Sequence, residues 1–185
     1  MKLRLKKREP NGPLRELCIA VPEGKDEKHL WTNADRAIML EMARHMLKDK
    51  LHGLSANQLG VNIRMFATNV PGDIVRVFVN PEVDITDYDQ STSAEACGSY
   101  VTPVAYRLRH RHLIIAAKSL GGLSFFLDTA DPKFSDEVSE LLSYRIQHEM
   151  EHLDGLNARA EPQMEQGDVA FPFVPCDLMP SLVSL

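Results

Sequence analysis

The strongest local pattern in this chain lies between residues 131 and 155 and reads DPKFSDEVSELLSYRIQHEMEHLDG. Ser135 can cap a helix, and Asp136 and Glu137 follow in the first turn, where the helix dipole favours negative charge. Gly155 stands just beyond the last apolar position, as glycine commonly does after a helix. The pattern predicts a helix with a defined beginning and end.

Two histidines of this helix, His148 and His152, are four residues apart and therefore lie on one face. Both imidazoles could bind one ion at about 2.0–2.1 Å. Glu149 is offset by one position and could reach a water on that ion without being a ligand. The alternative is an ordinary polar helix surface, because this five-residue pattern alone is only moderately specific.

The residues before the histidines on the same side of the helix indicate which way that side faces. They are mainly apolar: Val138, Leu141, Leu142 and Arg145. An apolar stripe normally faces the core, so the two histidines and the glutamate are predicted to point inward. Buried polar groups need partners, and a metal ion would satisfy all three.

A catalytic site of this kind needs a third protein ligand and an open position. The extended protease motif would need a histidine at position 158, where this chain has Ala158. Glu161 and Glu165 follow in the tail, with no second helix to present them. Cys97, in the segment EACGSY, is the best upstream candidate, although a buried cysteine is more often structural.

Composition sets the class of protein. The chain has 185 residues, of which 44% are hydrophobic and 25% charged, as expected for one globular domain in water. A net charge of -5 argues against nucleic acid as the main partner. The basic opening MKLRLKKR is followed by EPNGP, not by an apolar run, so neither secretion nor membrane insertion is expected. Three scattered cysteines fit a reducing compartment, which favours the cytoplasm.

The remaining segments predict a mixed α and β structure. A helix is expected from the Thr32–Asp35 capping signature through Ile38, Met42 and Met46, with Leu40, Ala43 and Leu47, to Lys48 and Lys50. Residues 52–61 are predicted to form a small loop, and residues 61–128 mostly strands, interrupted at Asn80-Pro81. Gly121-Gly122 predicts a hairpin between YRLRHRHLIIAAKS and LSFFLDT, and the charged residues of 107–112 are expected to be solvated.

Three separated stretches of the sequence resemble the signature motifs of peptide deformylases, in the same order and with similar separations. They are GLSANQLG at 53–60, EACGS at 95–99 and QHEMEHLDG at 147–155. PLRE near the start and NPEV at 80–83 extend the resemblance over roughly residues 13–157. The resemblance implies an α+β fold in which sheets surround a central helix that carries the HExxH motif. Residues 1–185 would form a single catalytic domain, with a flexible arm at 1–12 and an irregular tail at 158–185.

The resemblance also implies a site and a reaction. Cys97, His148 and His152 would hold one divalent ion, most often Fe²⁺ in this family, with Ni²⁺, Co²⁺ or Zn²⁺ as alternatives. The reaction would remove the formyl group from N-terminal formyl-methionine. Glu149 would accept a proton from the attacking water. The Gln58 amide and the Gly98 backbone N–H would stabilise charge on the formyl oxygen.

Without the resemblance, Gln58 would be interpreted as a loop residue that caps the next strand, and Gly98 as a turn glycine. Glu95 is expected to make a structural salt bridge or hydrogen bond. The peptide-binding residues carried over from the family are Gly53, Leu54, Ser55, Ala96 and Arg145.

Several positions depart from the family pattern: Leu51, Ser55, Ala96, Gly98 and Glu151 stand where the family has glycine, alanine, glycine, leucine and aspartate. None of these changes removes a ligand or the base, but they bear on the shape of the peptide cleft. Arg145 stands where the family usually has an uncharged residue near the methionine pocket. Either it pairs with an acidic neighbour and points away, or it confers a preference for polar or anionic substrates.

Three other functions remain as alternatives. A metallopeptidase is disfavoured by Ala158, and a structural zinc module by the lack of a fourth ligand near Cys97. A deformylase-like metalloprotein with an altered substrate or a binding-only role is disfavoured by the presence of Glu149 and Gln58.

The expected partners are N-formylmethionyl peptides or nascent chains, with ribosome association conceivable. A monomer is expected, in the cytoplasm, in a host cytoplasm if the source is viral, or in an organelle if it is eukaryotic.

Overall fold

A computed structural model of the chain describes residues 17–23, 31–72, 75–95, 97, 99 and 105–155. The predicted arm at 1–12 and tail at 158–185 lie outside the described residues, as do Ala96 and Gly98. The two helices are α1 (Asn33–Asp49) and α2 (Asp136–Leu153). The strands are β1 (Gly53–Ser55), β2 (Met65–Thr68), β3 (Arg76–Asp84), β4 (Gln90–Glu95), β5 (Ala105–His110), β6 (Ile114–Lys118) and β7 (Ser124–Asp128).

Both predicted helices are confirmed together with their caps. At the start of α1, the Thr32 hydroxyl accepts a hydrogen bond from the Asp35 backbone N–H, and the Asp35 carboxylate accepts one from the Thr32 backbone N–H. At the start of α2, the Ser135 hydroxyl accepts from the Val138 N–H at 3.4 Å. Leu40 and Leu47 of α1 are exposed, so they lie outside its buried stripe.

The strands form two sheets. Five strands form an antiparallel sheet in the order β1-β2-β3-β6-β7, and β4 pairs with β5 in a separate two-stranded sheet. The hairpin at Gly121-Gly122 is confirmed between β6 and β7, with Gly122 at φ 83°. Its first half was predicted too long, because residues 105–118 contain two strands that belong to different sheets.

Asn80-Pro81 does not interrupt β3, contrary to the prediction. The strand runs through both residues, and the register of its pairing with β6 shifts between Val79 and Glu82. Asn80 adopts φ 48°, and its side-chain amide both accepts from the Val21 N–H and donates to the Val21 carbonyl. The bend is therefore held by the segment that precedes α1.

The predicted loop at 52–61 is a short strand followed by a single turn of helix. β1 pairs with β2, and a 3-10 helix spans Ala56–Leu59 and ends at Gly60 in the left-handed region. Every residue from Leu54 to Leu59 is buried. This segment is part of the core and not a surface connection.

The five-stranded sheet lies between the two helices. Alternate residues of a strand face opposite sides, and in β2 Met65 and Ala67 join the cluster under α1, whereas Phe66 joins the cluster under α2. The Phe66 ring stacks on Phe78 of β3 with centroids 4.6 Å apart. α2 packs against β1 and β2 of this sheet and against β5 of the other. The α+β class is therefore confirmed, with α2 between the sheets. No helix in the described part of the chain is long and apolar enough to span a membrane.

Candidate active site

The face of α2 that carries the histidines points into the protein. His148, Glu149 and His152 are 8%, 3% and 1% exposed. The inward orientation predicted from the apolar stripe is therefore correct. These side chains are shielded from water, so their polar atoms need hydrogen-bond partners or a metal ion inside the fold.

Cys97, His148 and His152 converge. The Cys97 Sγ lies 3.3 Å from the His152 Nε2, which lies 3.2 Å from the His148 Nε2. All three ligand atoms fall within 4.8 Å of one another. Ligands around a tetrahedral ion with bonds of about 2.0–2.3 Å lie about 3.3–3.8 Å apart, so the two shorter separations fit one shared ion. One thiolate and two imidazoles are a donor set suited to Zn²⁺, Fe²⁺, Co²⁺ or Ni²⁺.

The surrounding groups give the two histidines opposite protonation preferences. Burial lowers the pKa of His152 well below its usual value, and the charge of His148 lowers it further. For His148, burial opposes the charged form, but hydrogen bonds with Cys97 and Glu95 and the charge of Glu149 raise its pKa well above the usual value. Acidic groups therefore surround His148, and an ion bound there would take the place of its proton.

The segment after β1 supports the cysteine from the other side. The Gln58 side-chain amide donates to the Cys97 Sγ at 3.2 Å and to the Ser99 Oγ at 3.1 Å. Its oxygen accepts from the Ser55 backbone N–H at 2.8 Å, which fixes which end of the amide faces the cysteine. The interpretation of Gln58 as a cap of the next strand is wrong, because it caps its own 3-10 helix and faces Cys97.

Glu149 lies beside this cluster in a tight space. A Cβ added to Gly53 would come within 3.1 Å of the Glu149 Cδ and closer still to the Oε1. The Glu149 Oε2 is buried and has no hydrogen-bond partner among the described residues. Burial raises the pKa of Glu149 to about 7, against the opposing effects of the His148 charge and a hydrogen bond from Ser55. A carboxyl group with this pKa can both accept and return a proton near neutral pH.

Glu95 orients His148 from behind. Its Oε2 lies 2.9 Å from the His148 Nδ1, which leaves the Nε2 directed at the cluster. Arg109 of β5 donates to both oxygens of Glu95, at 2.6 and 2.8 Å, and also pairs with Glu151 of α2. The expected structural salt bridge of Glu95 is confirmed.

Arg109 corrects the prediction that the charged residues of 107–112 are solvated, because it is only 4% exposed. Burial alone would lower its pKa, but the hydrogen bonds to Glu95 and Glu151 raise it above the usual value. The strand alternation gave no signal for this pairing. Asn57, whose side-chain amide donates to the His152 carbonyl at 2.6 Å, and Ser99 were likewise not predicted as site residues.

The predicted substrate residues do not share one environment. Leu54 and Ser55 are fully buried, and the Leu54 side chain packs in the core under α1, so only its backbone could contact a peptide. Gly53 faces Glu149. Arg145 is half-buried and forms no ion pair or hydrogen bond with another described residue, so the expected acidic partner is not found there. Ala96 and Gly98 lie outside the described residues.

Comparison with known proteins decides the family. The family model described as Polypeptide deformylase matches residues 10–161, which is most of the chain and includes the whole described site. The chain belongs to the peptide deformylase family. It is therefore an enzyme, and such enzymes bind a metal ion, which the cluster of Cys97, His148 and His152 could hold.

The relatives that match in sequence and the solved structures that match in fold are also peptide deformylases. The peptide deformylase of Rhizorhabdus wittichii is 30% identical over 165 residues, which cover 84% of each chain. The crystal structure of a peptide deformylase from Legionella pneumophila superposes with a TM-score of 0.67 at 21% identity, over 84% of this chain and 83% of that one. Peptide deformylase 1B of Arabidopsis thaliana, solved with an inhibitor, gives 0.64 at 26% identity, over 84% and 78%.

Proposed function

We propose that this deformylase removes the formyl group from N-formylmethionyl peptides by metal-dependent hydrolysis, releasing formate and a free methionine terminus. The observation that carries the proposal is the convergence of Cys97, His148 and His152 beside the buried carboxyl group of Glu149. A proton acceptor next to three metal ligands is the arrangement that metal-assisted hydrolysis requires.

The cofactor proposed is one divalent ion per chain, Fe²⁺ first, with Zn²⁺, Ni²⁺ or Co²⁺ as substitutes. Support comes from the mixed sulfur and nitrogen donor set and from the contact between Glu95 and the far nitrogen of His148. Such an ion would supply Lewis acidity and lower the pKa of a water molecule. Cys97 is half-buried, so one side of the site can admit a substrate.

Glu149 is proposed as the group that moves the proton. It accepts a proton from the attacking water and returns it to the amide nitrogen as the bond to the formyl carbon breaks. Its pKa of about 7 suits both steps. Gly53 lets the carboxylate stand close to the β1 backbone.

Charge that develops on the formyl oxygen needs hydrogen-bond donors. The Gln58 amide is proposed as one donor, because the Ser55 N–H holds its oxygen and aims its nitrogen at the cysteine side of the site. The Gly98 N–H is proposed as the second on the strength of the family resemblance alone. Peptide contacts are proposed for Gly53, Leu54, Ser55 and Ala96. Ribosome association, a monomeric state and a cytoplasmic location remain proposals.

The first test is formate release from formyl-Met-Ala-Ser by anaerobically purified protein loaded with iron or nickel. Glu149→Ala should lower kcat by at least about a hundredfold while one metal per chain is retained, because proton transfer is lost and the ligands are not. Glu137→Ala, on the exposed first turn of the same helix, is the matched control and should keep wild-type turnover. Equal activity of Glu149→Ala and wild type would contradict the proposed role of Glu149.

The alternative is a metal-binding protein of this fold with another substrate or none. The Glu149 Oε2, which has no hydrogen-bond partner among the described residues, argues against a binding-only role, because burying a carboxyl group without a partner costs free energy. No formate release from any formyl peptide, despite one bound metal per chain, would favour the alternative.

A further inference from the structure

The side-chain amide of Gln58 is buried, and all of its hydrogen-bonding positions are occupied. Gln58 is only 2% exposed. A glutamine amide has two hydrogens to donate and two lone pairs that accept. Its oxygen accepts from the Ser55 backbone N–H at 2.8 Å and from the Ser55 hydroxyl at 3.0 Å. Its nitrogen donates to the Cys97 Sγ at 3.2 Å and to the Ser99 Oγ at 3.1 Å. The amide is therefore held in one orientation from both ends.

At the oxygen end of the amide, the backbone provides the main restraint. The Ser55 hydroxyl has a single hydrogen, and the Asn57 Oδ1 lies nearer to it, at 2.7 Å, than the Gln58 oxygen does. The Ser55 backbone N–H is then the main partner of the Gln58 oxygen. Replacing the Ser55 side chain would not remove that partner.

At the nitrogen end, a side chain that is not one of the proposed metal ligands provides the restraint. Sulfur is a weak hydrogen-bond acceptor, and the Cys97 Sγ also lies 3.3 Å from the His152 Nε2. Ser99, two residues after Cys97, is fully buried, and its bond from the amide has an ordinary length. Without the Ser99 hydroxyl, a buried N–H would lose its acceptor, and the amide would gain free energy by turning toward another.

We propose that Ser99 is a positioning residue for the reaction: its hydroxyl holds the Gln58 amide so that an N–H is ready to donate to the formyl oxygen. The inference rests on the proposed deformylation, in which Gln58 stabilises charge on that oxygen. The amide nitrogen has no third hydrogen, so the formyl oxygen takes or shares one that Cys97 or Ser99 accepts before the substrate arrives. A donor fixed in advance needs no reorganisation during the reaction. Ser99 thus acts through Gln58 and not by contact with the substrate.

Ser99→Ala tests the inference in the metal-loaded enzyme with formyl-Met-Ala-Ser as the substrate. It should lower kcat at least about tenfold, but less than Gln58→Ala, because deletion of an oxyanion donor costs about a hundredfold or more. KM should stay within about twofold of wild type, since the lost interaction belongs to the transition state. One metal per chain should remain bound. Ser99→Thr keeps the hydroxyl and should retain most of the wild-type kcat.

A double-mutant cycle shows whether Ser99 acts through Gln58. In the Gln58→Ala background, Ser99→Ala should lower kcat no further, because the donor that Ser99 positions is already gone. Ser143→Ala is the matched control. The Ser143 hydroxyl is likewise fully buried and accepts from a glutamine amide, that of Gln147, at 3.0 Å, but it lies outside the cluster of metal ligands. This variant should keep the wild-type kcat.

Hydrogen exchange of the Gln58 amide gives a measurement that does not depend on turnover. In ¹⁵N-labelled, zinc-loaded protein, the side-chain NH₂ signals of Gln58 are identified by their absence from Gln58→Ala. Ser99→Ala should make these hydrogens exchange with deuterium at least about tenfold faster, because one of them has lost its acceptor. Ser143→Ala should leave their exchange as in wild type.

Three results would overturn the inference while leaving deformylation intact. They are a wild-type kcat for Ser99→Ala, an equal loss of kcat with glutamine and with alanine at position 58, and an equally low kcat for Ser99→Thr. Loss of the metal from Ser99→Ala would also overturn it, because Ser99 would then support Cys97. If wild type releases no formate, the proposed function fails, and hydrogen exchange decides about Ser99 separately. Faster exchange in Ser99→Ala would support the positioning of Gln58, and unchanged exchange would exclude it.

Discussion

At the scale of single residues, Gly53 and Glu149 define how much space the reaction has. Gly53 does not have a positive φ, unlike Gly60, Gly72, Gly122 and Gly155. The restriction at Gly53 is one of space, because a Cβ there would meet the Glu149 carboxyl group. The sequence could predict this glycine only through the family resemblance, since no local turn requires it.

Gly53→Ala should therefore impair catalysis more than folding. The added methyl group meets the far end of a flexible side chain, so the Glu149 carboxylate can shift while the strand stays in place. A displacement of about 1 Å at a reacting group can lower the rate about a hundredfold. We expect kcat to fall at least about tenfold, with one metal per chain still bound, as measured by formate release and metal analysis.

Gly121→Ala provides the comparison, because a Cβ at that position meets only the Ser119 hydroxyl, at 3.8 Å. Its turnover should match wild type. Loss of the metal from Gly53→Ala, or unfolding at room temperature, would show that Gly53 supports the ligands and not the base.

At the scale of secondary structure, polar contacts fix α2 between its neighbours at the site. β4 supplies Glu95 to His148, β5 supplies Arg109 to Glu151, and the 3-10 helix supplies Asn57 to the His152 carbonyl. Buried ion pairs of this kind are costly to break from one side, because the remaining charge has no solvent. The Glu95–Arg109 pair should thus be sensitive to the protonation of Glu95.

Glu95→Gln should lower stability in a manner that depends on pH. Burial would raise the pKa of Glu95, but hydrogen bonds from Arg109 and His148 lower it to about 2. Its folded pKa lies below its unfolded value near 4.5, so its contribution is present above about pH 4.5 and is lost as the pH falls toward 2. At pH 7 the variant should be less stable by about 2–3 kcal/mol, and the difference should shrink between about pH 5 and pH 3.

Urea unfolding with a chelator present measures this difference without a contribution from metal release. Glu140→Gln is the control, because Glu140 pairs with Arg111 at a partly exposed position, where the pair contributes little. A stability difference for Glu95→Gln that stays constant from pH 7 to pH 3 would rule out the titration of Glu95 as its source.

The helices and strands around the site differ in how well the sequence predicts them. Both helices were predictable because their caps and apolar stripes are local signals, as Thr32 and Ser135 illustrate. β1 was not, because a three-residue strand is defined by its pairing with β2 and not by its own pattern. Arg109 was misassigned for the same reason: its burial depends on Glu95 and Glu151, which other elements bring to it.

At the scale of the whole molecule, the site joins parts of the chain that no periodicity connects. Cys97 and His152 are 55 positions apart, and Gln58 and Cys97 are 39 apart. The helical spacing predicted the two histidines, but only the ordered motifs of a family could predict their meeting with Cys97 and Gln58. A shared ion would therefore tie α2 to the segment after β4 and stabilise the folded chain as a whole.

Removal of that ion should lower the thermal stability of the entire domain. An ion that binds the folded state alone adds RT ln(1 + [L]/Kd), or about 2.7 kcal/mol when its concentration is a hundred times Kd. We expect a chelator to lower the Tm by several degrees in one cooperative transition, and added Fe²⁺ or Ni²⁺ to restore it.

Cys97→Ala should melt near the chelated wild type and be insensitive to chelator, because a ligand is missing. Cys18→Ala removes a buried cysteine outside the cluster, so it should melt lower yet keep its response to chelator. A Tm unaffected by chelator in a protein stripped of its metal would mean that the ion serves chemistry alone and that Glu95, Arg109 and Gln58 hold the site together without it.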